Sequence, residues 1–438
     1  MRRTRTWAVA LTAMSTLLLA TDLLAQTPKP WGRVSFMADG FSASDGDTGR
    51  SGFTELVGSF TFASPYLTKD GAEYRFDLRS AAYPSTDDRS SRTSIYDAYA
   101  GYRFAGGTWL VRGGQMWLND LGGLGSIGGA LVEYSLKEVA GLQRIRFGAF
   151  GGAEPKILDA GYVSNVVKAG GYVAFDGARS WRNVLGFVTV RNSGVTERSV
   201  LTMTNLLPFG SRVFVYQAAE IDLTGPAGVG SGRLTYLFVN ARVTAASRVE
   251  LQGVYHRGRS IDTRTITLDQ LNGRPVSARA LEGWLFESAE GRVTVTLGRG
   301  FRVFGGYGQD RSEATDASTD RGTFGFFAGN LLRTGFDVRV SGYRRSRPGS
   351  SYTAWDASVG RSLTSRVYLT FDYSSSLAVL QVDAAGGYRV SQRPRTTRYA
   401  LSGLVNLNRW IWLQLTGEHL RDGALSEIRW MSGLTFRF

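Results

Sequence analysis

Residues 427–438, EIRWMSGLTFRF, close the chain. Ile428, Trp430, Leu434, Phe436 and Phe438 fall on one side of a period-two pattern, and Glu427, Arg429, Thr435 and Arg437 on the other. Side chains of an extended chain alternate between faces, so this segment reads as a strand with one apolar and one charged face. Such an apolar face has to be covered, either by a second sheet or by lipid.

The same alternation recurs upstream. Phe336, Val338 and Val340 oppose Asp337, Arg339 and Ser341, and Tyr74, Phe76 and Leu78 oppose Arg75, Asp77 and Arg79. Val249, Leu251 and Tyr255 oppose Glu250, Gln252 and His256, while Val367, Leu369, Phe371 and Tyr373 oppose Tyr368, Thr370 and Asp372. Counting such segments gives about 22 strands, within a range of about 16 to 24, the first near residues 31–38. Residues 279–310 fit one long strand or two, and 374–394 are the other unclear stretch.

A soluble sandwich also alternates. Three features favour lipid. Short connections (RFAGGTW, LPFGSR, RSLTSR, NLNRW) alternate with stretches read as long polar loops at 259–278 and 311–321, as in transmembrane barrels. Trp109, Trp117, Trp181, Trp410 and Trp412 stand near strand ends, where an interfacial girdle belongs. After the N-terminal region no stretch of about 18 apolar residues appears, so the chain has no helical span. An open sheet edge in lipid would strand backbone donors and acceptors, so the sheet is expected to close on itself. The fold class is therefore all-β: a single transmembrane antiparallel up-and-down β-barrel.

The terminal strand resembles that of bacterial outer-membrane β-barrel proteins of the porin-like kind. The resemblance implies that Trp430, Leu434, Phe436 and Phe438 are the signal read by the barrel-assembly machinery.

The other end agrees on the compartment. Arg2, Arg3 and Arg5 precede an apolar run from Trp7 to Ala20, the layout of a signal peptide cleaved after Ala25. Residues 1–25 are then the leader and 26–438 the barrel. Losing Arg2, Arg3, Arg5 and Asp22 takes +2 from the formal +14, so the mature chain stays basic at +12. With no Cys there is no disulfide framework, thiolate metal site or lipidated cysteine. No plug domain is expected before the first strand.

Function should lie on the inward face. The charged residues expected there are Arg75, Asp77, Arg79, Arg144, Arg146, Glu250, Asp337, Arg339, Arg345, Asp372, Glu427 and Arg429. Arginine predominates, and rings of arginine in a pore favour anions; the plainer reading is a wet wall of cross-strand ion pairs. The outer loops are expected to carry Arg259, Arg264, Arg274, Arg311, Arg321, Arg347, Arg393 and Arg395, a basic rim that suits outer-membrane lipids and lipopolysaccharide. Nucleic acid is not an expected partner, because no recognition motif accompanies the charge.

Catalysis has little support in two His and no Cys. His256 is expected inward beside Glu250, and His419 outward near an outer strand end, the placement used by outer-membrane phospholipases, yet no HxS pattern accompanies it. Residues 119–130, NDLGGLGSIGGA, lack the lysine of a phosphate loop and read as an outer loop, flexible or folded inward. Asn272 and Gly273 read as a tight turn. No cofactor or metal is expected. The primary expectation is a passive channel for small hydrophilic solutes, leaning toward anions. The alternative is a sheath around a luminal protein partner such as a multihaem cytochrome, since familiar barrels of about 22 strands are plugged. A carrier of hydrophobic compounds ranks third.

Overall fold

The computed structural model describes residues 30–438 apart from 46–48, 66–68, 85–88, 140, 157, 226–231, 299, 316, 384–388 and 424, so the expected signal peptide lies outside the described residues. The first ten strands are β1 (Trp31–Asp45), β2 (Gly49–Ala63), β3 (Gly71–Ala82), β4 (Arg92–Phe104), β5 (Trp109–Trp117), β6 (Ser126–Val139), β7 (Leu142–Pro155), β8 (Tyr162–Asp176), β9 (Arg182–Asn192) and β10 (Val195–Phe209). The others are β11 (Val213–Thr224), β12 (Arg233–Ala246), β13 (Val249–Ser260), β14 (Trp284–Gly298), β15 (Phe301–Ser312), β16 (Ala317–Ala328), β17 (Phe336–Arg347), β18 (Ser350–Ser362), β19 (Val367–Asp383), β20 (Arg389–Gln392), β21 (Arg395–Asn406), β22 (Ile411–Asp422) and β23 (Leu425–Arg437).

Neighbours pair antiparallel along the chain, and β1 returns to β23 from Arg33↔Arg437 to Ser44↔Ser426. The sheet is therefore closed, which removes the edge that lipid would not tolerate. Both β20 and β21 pair with β19, through Leu380↔Gln392 and Leu377↔Arg395. Pro394 lies between them, and a residue without an N–H interrupts the ladder there. The two pieces make one stave, so the barrel has 22 staves, the number the alternation gave. Residues 279–310 begin in a short helix and then form two strands, β14 and β15, and the described residues of 374–394 lie mostly in the paired strands β19 and β20.

At the seam, aromatic rings lie over glycines. A Cβ on Gly32 would collide with the Phe438 ring, and one on Gly40 with the Trp430 indole. Phe438 also stacks on Phe62 at 6.1 Å between centroids. Its backbone closes the ladder, with Gly32 N–H donating to the Phe438 carbonyl at 2.9 Å and Phe438 N–H to that of Gly32 at 3.1 Å. The four residues of the expected assembly signal thus stand at the closing seam, where they share the outward face with Val34 and Phe36.

One rim carries both ends of the sheet and short turns such as 247–248 between β12 and β13; the opposite rim carries the longest connection, 261–283. That connection holds helices α1 (Thr263–Leu271) and α2 (Ala278–Glu282). Asp262 caps α1 by accepting from Thr265 N–H at 3.0 Å, which holds its carboxyl below the usual value. Asn272 and Gly273 make the tight turn that ends the helix, with Gly273 N–H donating to the Gln270 carbonyl at 3.0 Å and Gly273 at φ 67°. Residues 311–321 are mostly strand and not one long loop: β15 runs to Ser312 and β16 starts at Ala317.

Candidate functional site

The two faces of the sheet differ as the alternation requires. Phe76, Phe187, Phe324, Trp355, Phe371 and Leu401 are exposed on the outward face, Leu401 by 58%. Tolerating that much apolar surface needs an apolar surrounding. Most charged residues of the same strands point into the lumen; Asp320 and Arg361, near strand ends, are outward exceptions.

Inside, the wall from β3 to β10 is thickened. The connection after β5 leaves the wall at Leu118 and runs through a 3-10 segment, Asn119–Gly125, to rest on the inner faces of β9 and β10. That contact lies four strands away, reachable only across the lumen. Leu121 is 1% exposed and belongs to an apolar cluster with Met116, Ile127, Leu131, Phe150, Val184 and Val188. A Cβ on Gly186 would collide with Leu121, so glycine is what lets the loop seat. Of the stretch 119–130, residues 119–125 fold inward and 126–130 are the start of β6.

Around this cluster runs a buried ionic network. The Arg146 guanidinium uses three nitrogens on three carboxylates, each at 2.9 Å: Nη2 on Asp120 of the inward loop, Nη1 on Glu133 of β6, and Nε on Asp176 of β8. Tyr172 OH donates to Glu133 at 2.6 Å. Arg144 meets Asp176 at 3.0 Å, and Arg182 reaches both Asp176 at 2.8 Å and Asp120 at 3.1 Å. Toward β3, Glu73 holds Arg103 at 2.9 Å and Arg112 at 2.6 Å, while Arg75 pairs with Asp97 at 3.0 Å and Asp77 at 3.4 Å. Arg79 shares that face, opposite Ser59 and Ser94.

Arg75, Asp77, Arg79, Arg144 and Arg146 all lie on this inner face by register, and of their acidic partners the sequence reading names only Asp77. Glu73, Asp97, Glu133 and Asp176 follow the same alternation and were findable by it. Asp120 was not, because only the loop's fold brings it to Arg146. The arginine surplus inferred from the sequence is largely neutralised on this wall.

The remaining inward residues line an open wall from β11 to β23. Glu250 is 3.9 Å from Arg242, both well exposed, and Arg429 pairs with Glu427. Asp337 accepts from Tyr368 OH at 3.2 Å, and Arg398 meets Glu418 at 2.8 Å. Arg339, Arg345 and Asp372 lie on the same face by register. Several guanidiniums here lie over rings: Arg292 over Phe304 at 4.7 Å, Arg302 over Phe327 at 4.8 Å and Arg437 over Trp412 at 4.0 Å. Trp412 is thus a luminal residue and not part of a girdle.

Helix α1 bridges the two walls at the loop rim. Arg264 donates to Glu197 of β10 at 2.8 Å and also pairs with Glu154 of β7, which holds Lys168 at 3.1 Å. Burial pulls the Arg264 pKa down, but Glu197 and Glu154 outweigh it and hold the guanidinium above its ordinary value. Ile266 and Thr267 are buried under the helix. Of the other residues expected in outer loops, Arg321 sits in β16 and pairs inward with Asp310 at 3.1 Å and Glu290 at 3.5 Å. Arg311, Arg347 and Arg395 are strand residues, Arg393 lies between β20 and β21, Arg259 donates to the Glu282 carbonyl at 3.0 Å, and Arg274 pairs with Asp269 at 3.4 Å.

The two histidines take the faces expected of them. His256 points inward among Tyr236, Phe238 and Phe286. His419 points outward, its Nε2 3.1 Å from Ser426 Oγ, and its cross-strand neighbours are Tyr399 and Ile428, neither of which is the acidic orienter that a Ser–His nucleophile uses.

The chain is a membrane-type β-barrel. No family model matches it, and no curated protein matches its sequence. Among solved structures it is similar to OpdQ of Pseudomonas aeruginosa (8% identity, TM-score 0.45, covering 94% of this chain and 100% of that one). It is also similar to OccK8 (OprE) of the same organism (9%, TM-score 0.45, 93% and 98% covered) and to OccAB2 of Acinetobacter baumannii (10%, TM-score 0.45, 93% and 98%). Likenesses of this degree carry no functional inference to the barrel.

Proposed function

We propose that the barrel is an outer-membrane channel through which small hydrophilic solutes diffuse passively, with a lean toward anions. The observation that carries this reading is the asymmetry of the lumen: one wall is packed by an inward loop and a satisfied ionic network, while the opposite wall presents exposed charged and polar side chains. A wall of that kind is hydrated, and a hydrated wall beside a packed one describes a narrowed aqueous path. The lean toward anions follows from Arg292, Arg302 and Arg437. A ring holds a guanidinium by cation–π attraction without cancelling its charge, whereas a carboxylate cancels it.

The test is single-channel recording of the refolded barrel in a planar bilayer under a salt gradient. Steady openings with an anion-leaning reversal potential are expected. A barrel that stays closed, or leaks without defined levels, sinks the channel reading and points to a missing luminal occupant. Orientation is checked on intact cells: Gln270→Cys in α1 should react with an impermeant thiol reagent and Asn408→Cys should not.

A further inference from the structure

The open wall carries one feature that a merely wet lining does not need. On β11 to β14, inward aromatic rings follow one another: Tyr216 and Phe238 at 5.9 Å between centroids, Phe238 and His256 at 6.3 Å, Tyr236 and His256 at 5.4 Å, His256 and Phe286 at 5.7 Å. The run reaches the loop rim at a cavity of about 370 Å³, where Tyr236, His256, Phe286 and Trp284 meet Arg198, Glu220 and Asp222, with Thr263 at the root of α1 on its border. Phe286 is 37% and Trp284 43% exposed. Apolar rings turned toward water over several adjacent strands are disfavoured unless something covers them.

The chemistry of the cavity narrows what that something is. Arg198 donates to Asp222 at 2.6 Å and to Glu220 at 2.9 Å, and Arg259, which also lines the cavity, lies 3.6 Å from Glu313 and donates to the Glu282 carbonyl at 3.0 Å, so each charge present already has a partner. An organic cation would meet Arg198, and an anion would meet the two carboxylates. Successive rings here are inclined by 56° to 63°, so a flat aromatic solute cannot lie face-on against two of them at once. The Arg279 guanidinium lies over Trp284 at 3.6 Å and holds that ring in place. What remains is a neutral solute with apolar C–H faces for the rings and hydroxyls at its edge for Glu220, Tyr236 and His256. The volume lies near the lower end of ligand pockets, which run from about 300 to 1,000 Å³.

We propose that this run and its cavity form a binding track for neutral, hydroxyl-rich ring solutes, that is, pyranose sugars or short oligosaccharides entering from the loop rim. The proposal rests on the channel reading and assigns that channel a solute class. Sugars touch the rings first at Trp284 and Phe286 and then pass along His256 and Phe238 toward Tyr216. Each ring contributes weakly, which suits a solute that has to leave as well as enter.

The experiment is current-noise analysis of the reconstituted barrel with maltotriose as probe, beside calorimetric titration of the same sugar into the detergent-refolded protein. Tetramethylammonium and benzoate are the charged controls. Maltotriose is expected to block the wild-type current transiently and to bind by calorimetry. Phe286→Leu and Trp284→Leu, which keep apolar bulk and lose the ring, should weaken sugar binding by about threefold to tenfold each. Conductance without sugar block or calorimetric binding overturns the track and leaves the channel reading standing. Block that is stronger with tetramethylammonium or benzoate, or unchanged in both variants, overturns it too. Sugar binding in a barrel that does not conduct supports the track and removes the channel.

Discussion

The two walls of this lumen use the same residue types to opposite ends. From β3 to β10, arginine and acid are buried with an apolar cluster and fix a loop in place; Arg146 is 6% exposed and Glu133 4%. From β11 to β23, the pair Arg242 and Glu250 stands 3.9 Å apart with side chains 57% and 42% exposed. A charge pair is costly to break where water is excluded and nearly free where it is not, so the first wall is structure and the second is surface.

The largest effect is expected at Arg146. Arg146→Ala leaves Asp120, Glu133 and Asp176 without their shared partner and should lower stability against urea by about 3–5 kcal/mol. Arg146→Lys keeps the charge but cannot hold three carboxylates with one planar fork, so it should recover only part of the loss. A small loss in Arg146→Ala would mean that the network is hydrated and the comparison between the walls false.

Next comes the loop that the network fastens. Leu121→Ala removes the side chain seated against Gly186 and should cost about 2–3 kcal/mol, toward the low side for a buried leucine because the loop can settle. Gly186→Leu attacks the same contact from the wall and should push the loop into the lumen. Single-channel conductance should change in both variants while the wild-type selectivity of the open wall is retained.

How much of this was legible in the sequence follows the reach of each contact. The strands, their faces, the closing seam and the inward arginines depend on period-two alternation, and strand neighbours come nearly in chain order, so reading along the chain suffices. The loop's destination depends on Leu121 seating against Gly186 of β9, an encounter with no local signature. One sign was available: in VLGFVTV, residues 184–190, apolar residues occupy both faces of β9, and a strand buried on both faces reads that way. The polar stretch 311–321 misled because strands that run beyond the membrane need no apolar face, and Arg321 then passed for a loop residue. The company of His256 was also missed; its aromatic neighbours come from β12 and β14, and only register brings them together.

Between the walls stands α1, and Arg264 is its tie to the packed side. Arg264→Ala removes charge-assisted bonds to Glu197 and Glu154, worth about 1.5–3 kcal/mol where the partners stay buried. The global stability change should be smaller than for Arg146→Ala, because α1 lies outside the closed sheet. The expected signature is kinetic, with more frequent switching between conductance levels as the helix moves over the rim. Unchanged gating would place α1 away from the path.

The smallest effect is expected where the comparison is most exposed to failure. Arg242→Ala, Glu250→Ala and the double variant form a cycle on the open wall, and their coupling should lie within about 0–1 kcal/mol, as for exposed ion pairs. Because both side chains are hydrated, removing either leaves no stranded charge, and the folded barrel loses only a screened attraction. The effect should appear instead in transport: Arg242→Ala shifts the reversal potential toward cations, Glu250→Ala shifts it toward anions, and both shifts shrink as salt rises and the Debye length falls. A coupling of several kcal/mol would show that the open wall excludes water as the packed wall does, and the proposed aqueous path along it would have to be abandoned.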